Sequence, residues 1–145
     1  MSPTIIHESN FEKARKAIKN AKSPIIFESI DDELNRQVLE KEKIDILLLN
    51  QKNRKDFQKQ RNSGFNQVLA KLCKKNEVTL GINLDEIISS NKTEKAKIIA
   101  RVKQNIELCK KNKLKITFMG KQKDTYDLKA LSLVLGMPTW MITAL

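Results

Sequence analysis

Five short apolar runs, each leading into a stretch with helical spacing, constrain this chain more than any other feature of its sequence. They are "TIIH" (4–7), "PIIFE" (24–28), "IDILLL" (44–49), "EVTLGIN" (77–83) and "LKITFM" (114–119). Runs so rich in Ile, Leu, Val and Phe suit strands of a parallel sheet, which is covered on both faces. After the first run, Phe11, Ala14, Ala17, Ile18 and Ala21 recur at three- and four-residue spacing, with Ser9 or Asn10 placed to cap the helix. After the second, "DDELNRQVLEKE" opens on acidic residues, which suit the positive end of a helix dipole. Phe65, Val68, Leu69, Leu72 and Cys73 mark one face of a third helix. Ile99, Val102, Ile106 and Cys109 form the stripe of a long fourth, with Asn91 or Thr93 as its cap. Gly136 and Pro138 end the last pattern, "DTYDLKALSLVLGM". This rhythm predicts an α/β fold of about five parallel strands alternating with helices. The length, 145 residues at 40% hydrophobic, suits a single domain over 1–145 with a sizeable core.

Charge is distributed unevenly. The formal net charge is +11, yet residues 50–76 carry eight basic groups against one acidic, and residues 92–123 carry eleven against two. Concentrated excess of this kind produces a local positive field suited to a polyanion, and nucleic acid is the expected partner. On the 92–113 helix, scattered lysines read as a solvated face. The loop "NQKNRKDFQKQRNS" (50–63) reads differently, because it leaves the carboxyl end of the third strand, where α/β folds gather their binding sites. Lys52, Arg54, Lys55, Lys59 and Arg61 precede a helix start at which Ser63 is placed as cap and Gly64 in the first turn. A helix start there would leave backbone N–H groups facing an anion, with mobile cations around them. A second basic loop, "GKQKD" (120–124), leaves the same end of the sheet and adds Lys121 and Lys123. Asn66 completes the candidate RNA-binding set. Few aromatics accompany these loops, Phe57 within the first and Phe65 just after it, the latter read as core, so backbone and shape recognition is expected rather than base stacking.

Other chemistries find little support. The chain has one histidine, His7, and no HxH or HxxE spacing, so neither a metal site nor a catalytic residue is assigned. Glu8 and Glu28 are its poor companions, and Asp45 and Asp56 make no credible carboxylate pair. No nucleophile elbow, phosphate-binding P-loop or dinucleotide-binding glycine turn occurs. Cys73 and Cys109 are read as small hydrophobes on helices. Trp140 and Tyr126 are read as packing residues, with Trp140 an interface candidate if exposed. No apolar run reaches the roughly 18 to 20 residues of a membrane span, and the N-terminus lacks a leader pattern. Cytoplasmic residence without a membrane partner is the expectation.

The segment "RNSGFNQVLAKLCKKNEVTLGINLDEII" (61–88) resembles the signature of the ribonuclease P protein component 3 family, which includes the eukaryotic p30-type subunits. Its flanks resemble the family too, in "IIFESIDDELNRQVLEKEKIDILL" upstream and in "RVKQNIELCKKNKLKITF" and "DLKALSLVLGM" downstream. The resemblance implies a TIM-barrel-like fold, here a partial β/α barrel, since five strands cannot close an eight-stranded one. Further βα units before the first strand and a stretch after the last helix, usual in the family, are not evident. An Arg-Pro-Arg run expected before the last helix is replaced by Lys129 alone. The implied function is that of a non-catalytic subunit of the ribonucleoprotein endonuclease that removes the 5′ leader from precursor tRNA. In such a particle the RNA is catalytic and holds the Mg2+, while the protein binds no cofactor. Implied partners are the ribonuclease P RNA, precursor tRNA and the other protein subunits, especially a ferredoxin-like one. Two alternatives stand beside this reading: a degenerate metal-dependent phosphoesterase-like barrel, and a scaffold that binds protein alone.

Overall fold

The computed structural model describes residues 4–52, 54, 62–120 and 125–143. The chain alternates β1 (Thr4–His7), α1 (Phe11–Asn20), β2 (Ile25–Glu28), α2 (Asp32–Lys41), β3 (Ile46–Leu49), α3 (Gln67–Lys75) and β4 (Thr79–Asn83). It continues through α4 (Leu84–Ser89), α5 (Lys92–Asn112), β5 (Ile116–Met119) and α6 (Thr125–Val134) to a single turn of 3₁₀ helix at Thr139–Met141. The five strands form one sheet in the order β1-β2-β3-β4-β5, and every pair is parallel.

Register explains how the sheet divides its side chains. Ile6 pairs with Phe27, Phe27 with Leu47, Leu47 with Leu80, and Leu80 with Ile116. Because side chains alternate along a strand, this whole row points one way. It joins the main core with Ala14, Ile18, Leu34, Val38, Leu69, Cys73, Ile98, Val102 and Ile106 of the helices. The opposite face carries a separate buried cluster made of strand residues alone, Ile26, Ile46, Leu48 and Met119. Gly81 lies on that face, where an added Cβ would sit 3.0 Å from Ile46 Cγ2 and 3.3 Å from Leu48 Cδ1. Strands laid down in sequential order with helices packed on one face are wound as part of a β/α barrel, not as a doubly wound sheet. Beyond β5, Ile142 pairs in parallel with Ile116, and the Thr143 N–H donates to Ile116 O at 2.9 Å. Among the described residues, no strand pairs with the outer edge of β1.

Local chemistry sets most element ends. Asn10, Asp31 and Asn91 cap α1, α2 and α5, each side chain accepting from backbone N–H groups of the first turn. The third helix begins later than the sequence suggests. Gly64 has φ +75, a left-handed conformation that cannot belong to a helical first turn, and Ser63 is therefore not a cap. Asn66 takes that role, its Oδ1 accepting from Leu69 N at 2.9 Å. Strand β4 likewise starts at Thr79 because Glu77 turns left-handed, at φ 57.

Candidate nucleic-acid interface

All five strands run in parallel, so the segments after β3 and β5 leave the same end of the sheet. Side chains at that end form a hydrogen-bonded row. His7 Nδ1 lies 3.5 Å from Glu28 Oε1, Asn50 Nδ2 donates to Glu28 Oε2 at 3.2 Å, and Asn83 Nδ2 donates to Asn50 Oδ1 at 2.7 Å. These groups are engaged with one another, and among the described residues no three His, Cys, Asp or Glu side chains gather as a metal site. The row braces the ends of β1, β2, β3 and β4 against one another.

The basic segment enters from this row. Asn50 O accepts from Arg54 Nε at 2.7 Å, and Arg54 Nη1 pairs with Asp32 Oδ1 at 3.1 Å, across to the start of α2. With its side chain only 9% exposed, Arg54 is an anchor of the segment rather than the mobile cation the sequence suggests. The reason is local: Gly64 lacks a Cβ, and the guanidinium occupies the space one would fill. Lys52 is exposed, while its backbone N–H donates to Glu86 Oε1 at 3.3 Å. Ser63 is 1% exposed, so neither its hydroxyl nor a helix start presents free donors there. Asn66 is exposed but its side-chain oxygen is used as the cap. Lys55, Lys59, Arg61, Lys121 and Lys123 lie outside the described residues.

Residues that no sequence motif singles out, among them Glu86, Arg101, Gln51 and Asn105, hold the two ends of this segment. Glu86, in α4, accepts the Gln51 N–H at 2.8 Å. Burial pushes its carboxyl pKa above the ordinary value, against the opposing pull of those backbone donors and of Arg54 and Lys52. Arg101, 2% exposed in mid-α5, donates to Gln51 O at 2.8 Å and to Arg54 O at 2.7 Å. Gln51 Nε2 donates to Ser63 O at 2.8 Å, and Asn105 Nδ2 reaches the same oxygen at 3.5 Å. Their one visible trace is spacing, since 101 and 105 fall on the same helical face as 98, 102, 106 and 109.

Beside the segment's exit, an open cleft of about 720 Å³ runs over the start of α3, between α2 and α5. It is lined by Asp32, Glu33 and Glu107 as well as Arg36 and Lys111. Such mixed charge does not favour a polyanion, which leaves the basic segments as the candidate contacts. Near the C-terminal end, Leu133 and Val134 are exposed, as is Trp140 at 42%, so Trp140 is not simply a packing residue.

Fold and site together define a half-barrel α/β protein whose strand-end face carries a clamped basic loop. Residues 5–141 match the family model "RNase P subunit p30", and the chain belongs to that family. It is 29% identical over 124 residues to ribonuclease P protein component 3 of Methanococcus maripaludis (strain C7), covering 86% of this chain and 51% of that protein. The Methanosarcina acetivorans protein of the same name is 30% identical over 112 residues, covering 77% of this chain and 44% of that protein. The chain thus spans about half the length of the curated relatives it matches. A chain in the cryo-EM structure of archaeal ribonuclease P with mature tRNA superposes with a TM-score of 0.79 at 23% identity. That match covers 96% of this chain and 62% of the other, and it shows the partial TIM-barrel-like fold.

Proposed function

We propose that this chain acts as a non-catalytic protein subunit of a ribonuclease P, binding and stabilising the catalytic RNA through its basic strand-end loops. The family match over residues 5–141 carries this reading, and the basic segment after β3 gives it a physical basis. Lys52, Lys55, Lys59 and Arg61, with Lys121 and Lys123, are the proposed phosphate contacts, while Arg54, Ser63 and Gly64 shape the segment that carries them. In this role Mg2+ is held by the RNA, precursor tRNA is the particle's substrate, and residence is cytoplasmic. A ferredoxin-like subunit is the proposed protein neighbour.

The experiment is a titration of transcribed archaeal ribonuclease P RNA with the chain at several salt concentrations. Each phosphate contact contributes about 0.7 to 0.9 to the slope of log affinity against log salt. A steep slope that becomes shallower when Lys52, Lys55, Lys59 and Arg61 are changed to Ala supports the reading. Binding that ignores salt, or no binding at all, overturns it.

A further inference from the structure

We propose that Arg101 and Glu86 are positioning residues that fix where the basic segment leaves and rejoins the protein body, an inference that rests on the RNA-binding role proposed above. Gln51 is the point they share. Its N–H is held by Glu86 and its C=O by Arg101, so the backbone is fixed on both sides of one residue. Glu86 extends the hold to Lys52 N, and Arg101 extends it to Arg54 O. The Gln51 side chain then closes the segment by donating to Ser63 O, at 2.8 Å. Gln104 Nε2 secures Ser63 from α5, 3.2 Å from its Oγ. Eleven residues, Lys52 to Asn62, therefore begin and end against one buried polar knot.

Such a knot is an expensive way to fill a core. Arg101 and Asn105 lie among Ile98, Val102, Ile106 and Cys109, where apolar side chains would pack without desolvating a charge. Through Gln51 O and Arg54 O, Arg101 holds backbone carbonyls of the segment, which binds its main chain whatever side chains follow. A segment with fixed ends presents its cations over a restricted volume and loses less freedom when a polyanion docks. The long helix that looks like a solvated lysine face in the sequence thus holds the two ends of the basic loop.

The test compares the full chain with Arg101→Lys, which keeps the charge but replaces the guanidinium's two separate donor nitrogens by one, and with Glu86→Gln, which keeps the shape. Three readouts are taken: affinity for the same ribonuclease P RNA, its salt slope, and amide hydrogen exchange along the chain. For Arg101→Lys the expected result is roughly tenfold weaker binding with a shallower salt slope. Exchange should quicken at Gln51, Lys52 and Arg54 while the β2, β3 and β4 amides keep their protection. A general loss of stability would instead raise exchange in the sheet. Should Arg101→Lys fail to fold, Glu86→Gln decides the matter through the same changes on a smaller scale. Wild-type binding with an unchanged affinity and slope in the folded variant overturns the positioning role and leaves the RNA-binding reading standing. Failure of the unaltered chain to bind the RNA overturns both.

Discussion

Arg54 lies against Gly64 so closely that a Cβ at residue 64 would come within 2.5 Å of the Arg54 Nη2. The glycine is required twice over, since its backbone also stands at φ +75. Gly64→Ala is expected to cost about 1 to 3 kcal/mol, from left-handed strain plus displacement of the guanidinium from Asp32 and Asn50. Urea denaturation measures this, and an unchanged midpoint would show that the contact is dispensable.

Arg54 and Lys52 should separate under mutation although they are two residues apart. Arg54→Ala removes a largely buried donor from Asn50 O and leaves Asp32 without its pair, for an expected loss of about 1 to 3 kcal/mol. Lys52→Ala leaves its backbone bond to Glu86 intact and should stay within about 0.5 kcal/mol of the unaltered protein. Equal stability losses would contradict the division of the segment into anchor and contact residues.

Glu86 gives the fold a pH dependence whose sign follows from its surroundings. Burial raises its pKa above the ordinary 4.5, so the neutral form is the one the fold favours. The associated stability is fully present below 4.5 and is lost as pH rises through the raised value. Denaturation curves for Glu86→Gln should therefore lack this decline, and the unaltered protein should lose stability relative to the variant between acid and neutral pH. A gap that stays constant, or runs the other way, would show that the backbone donors outweigh burial.

Cys73 and Cys109 are fully buried, and burial pushes both thiols up to about 12. Stability linked to the neutral thiols is complete below the ordinary 9.0 and drains away as pH climbs toward 12. Near neutral pH a thiol reagent should leave the native protein untouched and label both cysteines once urea unfolds it. Fast labelling of the native state would contradict the packing described.

What could be read in the sequence, and what could not, follows from where the information lies. Strands such as Ile46–Leu49 announce themselves because every residue is buried, and a run of four branched apolar side chains needs no alternation to be noticed. Helix α4 left no such trace, since six residues are too few to establish a period. The cap of α3 lies at Asn66 and not at Ser63, because Gly64 is as compatible with a left-handed turn as with a helix and here takes the left-handed turn against Arg54. Arg101 was hidden more thoroughly. Its type is usually exposed, and its place on the buried face of α5 has meaning only once Gln51 and Arg54 are known to lie across from it.

Whether this chain serves a ribonuclease P is decided by reconstitution. Catalytic RNA, the other protein subunits and precursor tRNA would be combined at low Mg2+, with the chain present, absent, or carrying Lys55→Ala, Lys59→Ala and Arg61→Ala together. Restored removal of the 5′ leader by the unaltered chain, and a marked loss with the triple variant, is the predicted result. Cleavage that proceeds equally with and without the chain would show that it is not a working subunit of the particle.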